Sequence, residues 1–161
     1  MSDLQVTADP GVPQILTERK FDAPRDLLYR AFTEPDLLAR WLGPRDGTMT
    51  VDRFDLHDGG TWRYVHTDGE GNEYAFHGVF HGEPSLDGIV QTFEFEGAPG
   101  HVQLDTVTFE EQDDGTIVRT NSVFQTVEAR DAMVEHGMTE GMTEGYEQLE
   151  ELLNTSLKTR H

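Results

Sequence analysis

The chain contains no cysteine, which excludes disulfides, thiolate metal sites and a cysteine nucleophile. Lysine is nearly missing as well: only Lys20 and Lys158 occur, and the remaining basic residues are arginines. No stretch is long or apolar enough to cross a membrane. Met1 to Pro13 is polar, without the basic start and apolar run of a signal peptide. No Ser–His–Asp or P-loop pattern is present. Acid is abundant: 31 Asp and Glu face 12 Lys and Arg over 161 residues, a net charge of −19. Such a chain repels phosphate backbones and anionic headgroups, so nucleic acid and charged membrane surfaces are poor partners. The acids are spread along the chain and read as a solvated surface. The length suits one domain with a single core, and the lack of cysteine fits a cytoplasmic protein.

Residues 1–13 are expected to be flexible, residues 14–157 to form the domain, and 158–161 a tail. Gln14 to Phe21 reads as a strand stopped by Asp22-Ala-Pro24. Pro24 suits a helix start, and Arg25 to Phe32 follows with Leu27, Leu28, Ala31 and Phe32 on one side. Thr33-Glu-Pro-Asp36 resembles a capping start for a second short helix, Pro35 to Leu42, ended by Gly43-Pro44. Six strands are then predicted: Met49–Leu56, Thr61–Thr67, Glu73–Glu83, Ile89–Glu96, Val102–Glu110 and Thr116–Gln125. Turn residues at short, regular spacing separate them, as in an antiparallel meander. Thr126 is placed to cap one long helix reaching about Leu157, roughly 45 Å at ~1.5 Å per residue.

That last helix carries Gly137, Gly141 and Gly145 at intervals of four, among apolar residues at helical spacing. Each glycine costs roughly 1 kcal/mol against Ala in a helix interior. They point to close backbone approach, a bend or empty space beside the helix. A curved sheet with one apolar face needs a cover, and this helix is the only element large enough.

Alternation puts Trp62, Tyr64 and His66 on one face of their strand and Tyr74, Phe76, Gly78 and Phe80 on one face of the next. A turn centred near Glu70 sets Tyr64 opposite Phe76 and His66 opposite Tyr74. The result is an aromatic face that suits either an ordinary core or a ligand pocket with polar tips. Met138 and Met142 would add adaptable walls. Simple pairing through a turn near Leu86 puts Phe93 on the face away from Phe76, unless a bulge intervenes. His77 and His81 share the opposite, outer face with no third ligand, so no metal site is expected. Glu94, Glu96, Asp105 and His136 are the candidates for acid–base work.

Three segments carry a resemblance: Arg19-Lys-Phe-Asp-Ala-Pro24, Phe32-Thr-Glu-Pro-Asp-Leu-Leu-Ala-Arg-Trp41-Leu-Gly-Pro44 and Gly59-Gly-Thr-Trp-Arg-Tyr64. So do Glu73-Tyr-Ala-Phe-His-Gly78, Glu96-Gly-Ala-Pro-Gly-His101 through Glu111, and Gly137-Met-Thr-Glu-Gly141 with Leu149-Glu-Glu-Leu-Leu153. Together they resemble the START-like (SRPBCC) superfamily, in the bacterial branch similar to the activators of the 90-kDa heat-shock-protein ATPase. The resemblance spans about Gln14 to Leu153. It implies an α+β helix-grip fold: a curved antiparallel sheet around a long C-terminal helix, with two short helices after the first strand and a cavity between. It transfers no catalytic residue, and no cofactor is expected. Members bind hydrophobic small molecules, and some act in polyketide chemistry. Gly145 stands where a larger residue is common in the subgroup, which implies extra room or a bend.

The ligand cavity so expected is lined by Trp41, Trp62, Tyr64, His66, Tyr74, Phe76, Phe93, Phe95, Phe109, Met138, Gly141, Met142 and Tyr146. Its occupant is expected to be a hydrophobic or aromatic small molecule. The competing function is an enzyme of cyclase or hydrolase type. Chaperone ATPase activation ranks below both, because activators typically carry an additional N-terminal domain and only about 13 residues precede the fold here. Homodimerisation through sheet edges or the short helices is compatible with the sequence, although no signal specifies it.

Overall fold

Period-two alternation of apolar residues builds eight antiparallel strands in the computed structural model, which describes residues 4–43 and 45–157, with side chains to Thr155. In chain order they are β1 (Gln5–Thr7), β2 (Gln14–Phe21), β3 (Thr48–Phe54), β4 (Thr61–Thr67), β5 (Glu73–Val79), β6 (Ile89–Phe95), β7 (Val102–Gln112) and β8 (Gly115–Val123). Helices α1 (Arg25–Thr33) and α2 (Pro35–Trp41) lie between β2 and β3, and α3 (Val127–Glu135) and α4 (Met138–Leu152) follow β8. One sheet holds all the strands in the order β1-β2-β8-β7-β6-β5-β4-β3. This is the α+β helix-grip architecture expected from the sequence. Among the described residues no helix is long and apolar enough to cross a membrane.

The register fixes which residues face the helices. Ile15, Arg19 and Phe21 of β2 oppose Ser122, Val118 and Thr116 of β8. Asp105, Val107 and Phe109 of β7 carry the same face onward to Gln91 and Ile89 of β6. One end of this concave face is sealed. There Leu28 and Ala31 of α1, Leu38 and Trp41 of α2, and Tyr146, Leu149 and Leu152 of α4 bury against Phe21, Phe109 and Val118. The Trp41 indole donates to the Ala31 carbonyl at 2.9 Å, which ties the two short helices together. Arg19 is buried here too. It donates to Glu150 at 2.6 Å and to the Tyr146 carbonyl at 3.3 Å, and its guanidinium lies 4.5 Å from the centre of the Phe21 ring.

Four expectations are corrected. The leading segment is not wholly loose: Gln5–Thr7 pairs with Leu16–Glu18 as an edge strand. Arg130 of α3, itself buried, holds the β1–β2 connection by donating to the carbonyls of Asp9 and Gln14. Thr33 is not a cap: its hydroxyl donates back to the Tyr29 carbonyl at 2.6 Å, and Glu34 occupies the cap position of α2 without a side-chain bond. The last helix is not continuous, because Gly137 takes φ 90° and separates α3 from α4. Thr126 does cap α3, accepting from the Ala129 amide at 3.0 Å.

The fourth correction concerns Phe93. The β5–β6 connection turns on Leu86-Asp87, closed by mutual backbone bonds between Ser85 and Gly88. That centre lies half a residue beyond Leu86. Between that turn and the Phe80–Gln91 bridge, four residues (81–84) oppose only two (89–90), so the pairing ends one residue away from that of a simple turn at Leu86, and every side chain of β6 changes face. Phe76 pairs with Phe95, and Phe93 lies 5.3 Å from Phe76 on the same side. The irregularity lies in residues 81–84, between β5 and the turn, and not in β6. The Pro44 stop and the 158–161 tail fall outside the described residues.

Candidate functional site

The predicted pairings of Tyr64 with Phe76 and His66 with Tyr74 are present, and Trp62 pairs with Gly78. The last pair explains why position 78 is glycine. A Cβ there would lie 2.6 Å from the Trp62 ring and 1.9 Å from the Thr92 carbonyl. Trp62 stacks on Tyr64 at 4.3 Å and reaches Phe93 at 5.7 Å. Phe76 bridges Phe93 and Phe95, and Tyr74 lies between Phe95 and His66. An unbroken aromatic run thus crosses β4, β5 and β6 on the concave face.

The cover over that run is uneven. Trp62, Tyr64 and His66 are buried, whereas Phe76, Phe93 and Phe95 are half-buried and Tyr74 is 38 % exposed. Gln91, Gln103 and Asp105 on the neighbouring strands are half-buried as well. The concave face is therefore sealed under α1, α2 and the end of α4, and less covered over β5 and β6. Two buried polar atoms at this end, Trp62 Nε1 and His66 Nε2, have no hydrogen-bond partner among the described residues. Each unpaired group costs ~1–3 kcal/mol.

The expected lining residues fall into three groups. Trp62, Tyr64, His66, Tyr74, Phe76, Phe93 and Phe95 form the aromatic run just described. Trp41, Phe109 and Tyr146 sit in the sealed end: Tyr146 packs on Phe21 and Trp41, and Phe109 on Tyr29 and Phe32. From α4, Met142 packs on the core and Met138 is half-buried, but Gly141 is exposed with nothing within 4 Å of a Cβ. It lies about 80° around the helix from Leu149 at ~100° per residue, turned away from the packed stripe. Gly145 provides no extra room either: a Cβ there would meet the Trp41 carbonyl at 3.4 Å. It is a close-approach glycine between α4 and α2.

Of the acid–base candidates, only Asp105 faces inward. Glu94 and Glu96 lie on the outer face beside His77, at 3.3 and 3.0 Å. Paired hydrogen bonds from Arg63, at 2.8 and 2.9 Å, pull the Glu96 carboxyl down to about 2, and His77 adds to the effect. His136 is exposed at the end of α3, its ring against the Ala132 carbonyl. His77 and His81 gain no further ligand, and no metal-holding group of three or more occurs among the described residues. Asp105 accepts from Gln103 at 2.9 Å. Burial pushes its carboxyl up, against the opposing hydrogen bonds of Gln103 and Ser122. Its charge in turn raises the hydroxyl pKa of Tyr64 and of Tyr146, both already raised by burial, and Arg19 partly offsets the effect on Tyr146. Tyr64 of β4, Asp105 of β7 and Tyr146 of α4 are therefore coupled electrostatically. The sequence marked Asp105 only as one acid among many; its inward position follows from the β6–β7–β8 register.

A separate groove of about 480 Å³ lies on the outer face, lined by residues such as Thr7, Leu16, Thr106, Thr108 and Asn121. Its one cation, Arg119, is already paired with Glu18 and Glu110.

No curated protein sequence matches this chain. Solved structures do. A Rhodobacter sphaeroides protein is 29 % identical, with TM-score 0.86 over 94 % of this chain and 98 % of its own. An Arthrobacter aurescens protein is 26 % identical, with TM-score 0.86 over 98 % of both. DynU16, a protein in the dynemicin biosynthetic locus, shares the fold alone: it is 17 % identical, with TM-score 0.71 over 89 % of this chain and 48 % of its own. The model of the family described as "Activator of Hsp90 ATPase homolog 1-like protein" matches residues 22–154. With its helix-grip fold and a match across most of its length, the chain belongs to that family.

Proposed function

We propose that this protein binds a hydrophobic or aromatic small molecule on the less covered part of the concave face, between β4–β6 and the start of α4, within the cytoplasm. The carrying observation is the aromatic run itself. Tyr74, Phe76, Phe93 and Phe95 keep accessible surface on the face that carries the core. A soluble chain of charge −19 gains nothing from leaving those rings wet. The unpaired Trp62 and His66 nitrogens support the same reading, since a ligand acceptor or water would satisfy them.

Burying about 200 Å² of apolar ligand surface contributes roughly 5 kcal/mol before the cost of association. Apolar contact alone thus gives affinities nearer millimolar than micromolar. Native mass spectrometry against a lipid and aromatic library, with tryptophan emission as a second readout, tests the proposal. Adducts that disappear in Phe76→Ala are expected. No bound mass across the library, with unchanged emission, removes the proposal.

Acid–base catalysis of cyclase or hydrolase type is the second reading, and Asp105 is the observation that favours it, as the one candidate carboxyl on the inner face. DynU16 sets natural products among the compounds to screen for turnover. Turnover that survives Asp105→Asn would exclude this residue as the acid or base.

A further inference from the structure

Resting on the binding site proposed above, we infer that its ligands carry a protonated amine on an apolar or aromatic body, with Asp105 as the counter-ion. Asp105 stands on the concave face between Gln91 of β6 and Ser122 of β8. Its polar neighbours, Gln103 and Ser122, are both neutral. Among the described residues its carboxylate makes no ion pair. The cation on the same face, Arg19, is committed to Glu150 at 2.6 Å. A half-buried carboxylate is costly without a positive partner, and none of the described residues supplies one.

The apolar half of the ligand has its place beside it. Phe93 lies diagonally across the ladder from Asp105, two residues beyond Gln91. Such diagonal neighbours are about 7–8 Å apart. Phe76 and Trp62 continue the aromatic surface at 5.3 and 5.7 Å from Phe93. A ring lying on Phe93 therefore places an ammonium one or two bonds away within reach of Asp105. The aromatic faces themselves attract a cation. The net charge of −19 draws cations toward the protein and repels carboxylate ligands of the same shape.

Three probes of one shape separate these contributions: naphthylmethylamine, naphthylmethanol and naphthoate, titrated into the full chain by calorimetry. The amine is expected to bind about tenfold more tightly than the alcohol, as a charge-assisted bond replaces a neutral one. Naphthoate should bind weakest. Asp105→Asn should bring the amine down to the level of the alcohol and leave alcohol binding unchanged, with circular dichroism reporting intact folding. Asp105→Ser repeats the comparison if the amide disturbs Ser122. Equal binding of amine and alcohol to the wild type, or an amine advantage that survives both variants, overturns the inference and leaves the binding site standing. Failure of all three probes overturns the site and the inference together.

Discussion

Three glycines spaced four apart near the end of the chain have three different surroundings, so one substitution should have three different effects. Gly141 sits in α4 with open space where a Cβ would go. Gly141→Ala removes only the backbone entropy penalty and should stabilise by about 1 kcal/mol. Gly145→Ala gains the same propensity but brings a Cβ to 3.4 Å from the Trp41 carbonyl and 3.9 Å from its ring. These are ordinary contacts, so the net gain should be positive and below about 1 kcal/mol. Gly137 has φ 90°, where a Cβ meets the backbone; Gly137→Ala should cost about 1–2 kcal/mol. The extremes of the series thus differ by roughly 2–3 kcal/mol. In a domain of this size each kcal/mol moves the midpoint by about 2–4 °C, so thermal melts by circular dichroism resolve the order Gly141, Gly145, wild type, Gly137. A Gly137→Ala variant that melts at or above wild type would refute the break and restore one continuous helix. A destabilised Gly141→Ala would show that this position is packed against the sheet after all.

Glu150→Ala leaves the buried Arg19 with the Tyr146 carbonyl and the Phe21 ring as its remaining partners; a loss of about 2 kcal/mol, read in urea unfolding, is expected. Asp105→Asn should act oppositely on stability. A raised folded-state pKa means that the penalty for the charged form develops as pH rises from the unfolded value near 4 through the raised value. The variant should therefore gain on wild type between acid and neutral pH, and a difference that stays flat in melts from pH 4 to 7 would contradict the burial of this carboxyl. Glu96 has the reverse sign: its depressed pKa contributes stability above about 4.5 that is lost as pH falls toward about 2. Glu96→Gln should flatten that limb of the acid denaturation curve, and 1 M salt should weaken the effect because the pair is partly exposed.

Local pattern carried much of the fold. Alternation in Thr61–Thr67 and Glu73–Val79, joined by the Asp68–Asn72 turn, fixed a pairing register that the structure reproduces. Asp68 holds that turn through the Glu70 and Asn72 amides at 2.9 Å, so the turn residues alone set the centre. The β5–β6 connection was not legible in the same way. Its segment from His81 to Gly88 offers several turn residues and an irregular stretch at 81–84, and a pairing one residue away from that of a turn at Leu86 reverses a whole strand. The N-terminal strand was missed for a different reason. Three residues carry too little pattern, and Gln5–Thr7 is ordered by the neighbouring β2, while Arg130 holds the connection between them at Asp9, 121 residues away in sequence.

The family resemblance implied the helix-grip class, and sequence pattern determined the two tandem helices, the six-strand meander after them, the aromatic character of the β4–β5 hairpin and the acidic surface. The pattern readings depend on periodicity, turn chemistry and composition, which are local or additive. Only the tertiary structure decided what the glycines do. Gly137 breaks a helix, Gly141 faces solvent and Gly145 touches α2, because each role depends on what another part of the chain places beside it. It also singled out Asp105 from 31 acidic residues, since facing inward is a property of the ladder from β6 to β8 and not of any residue within it.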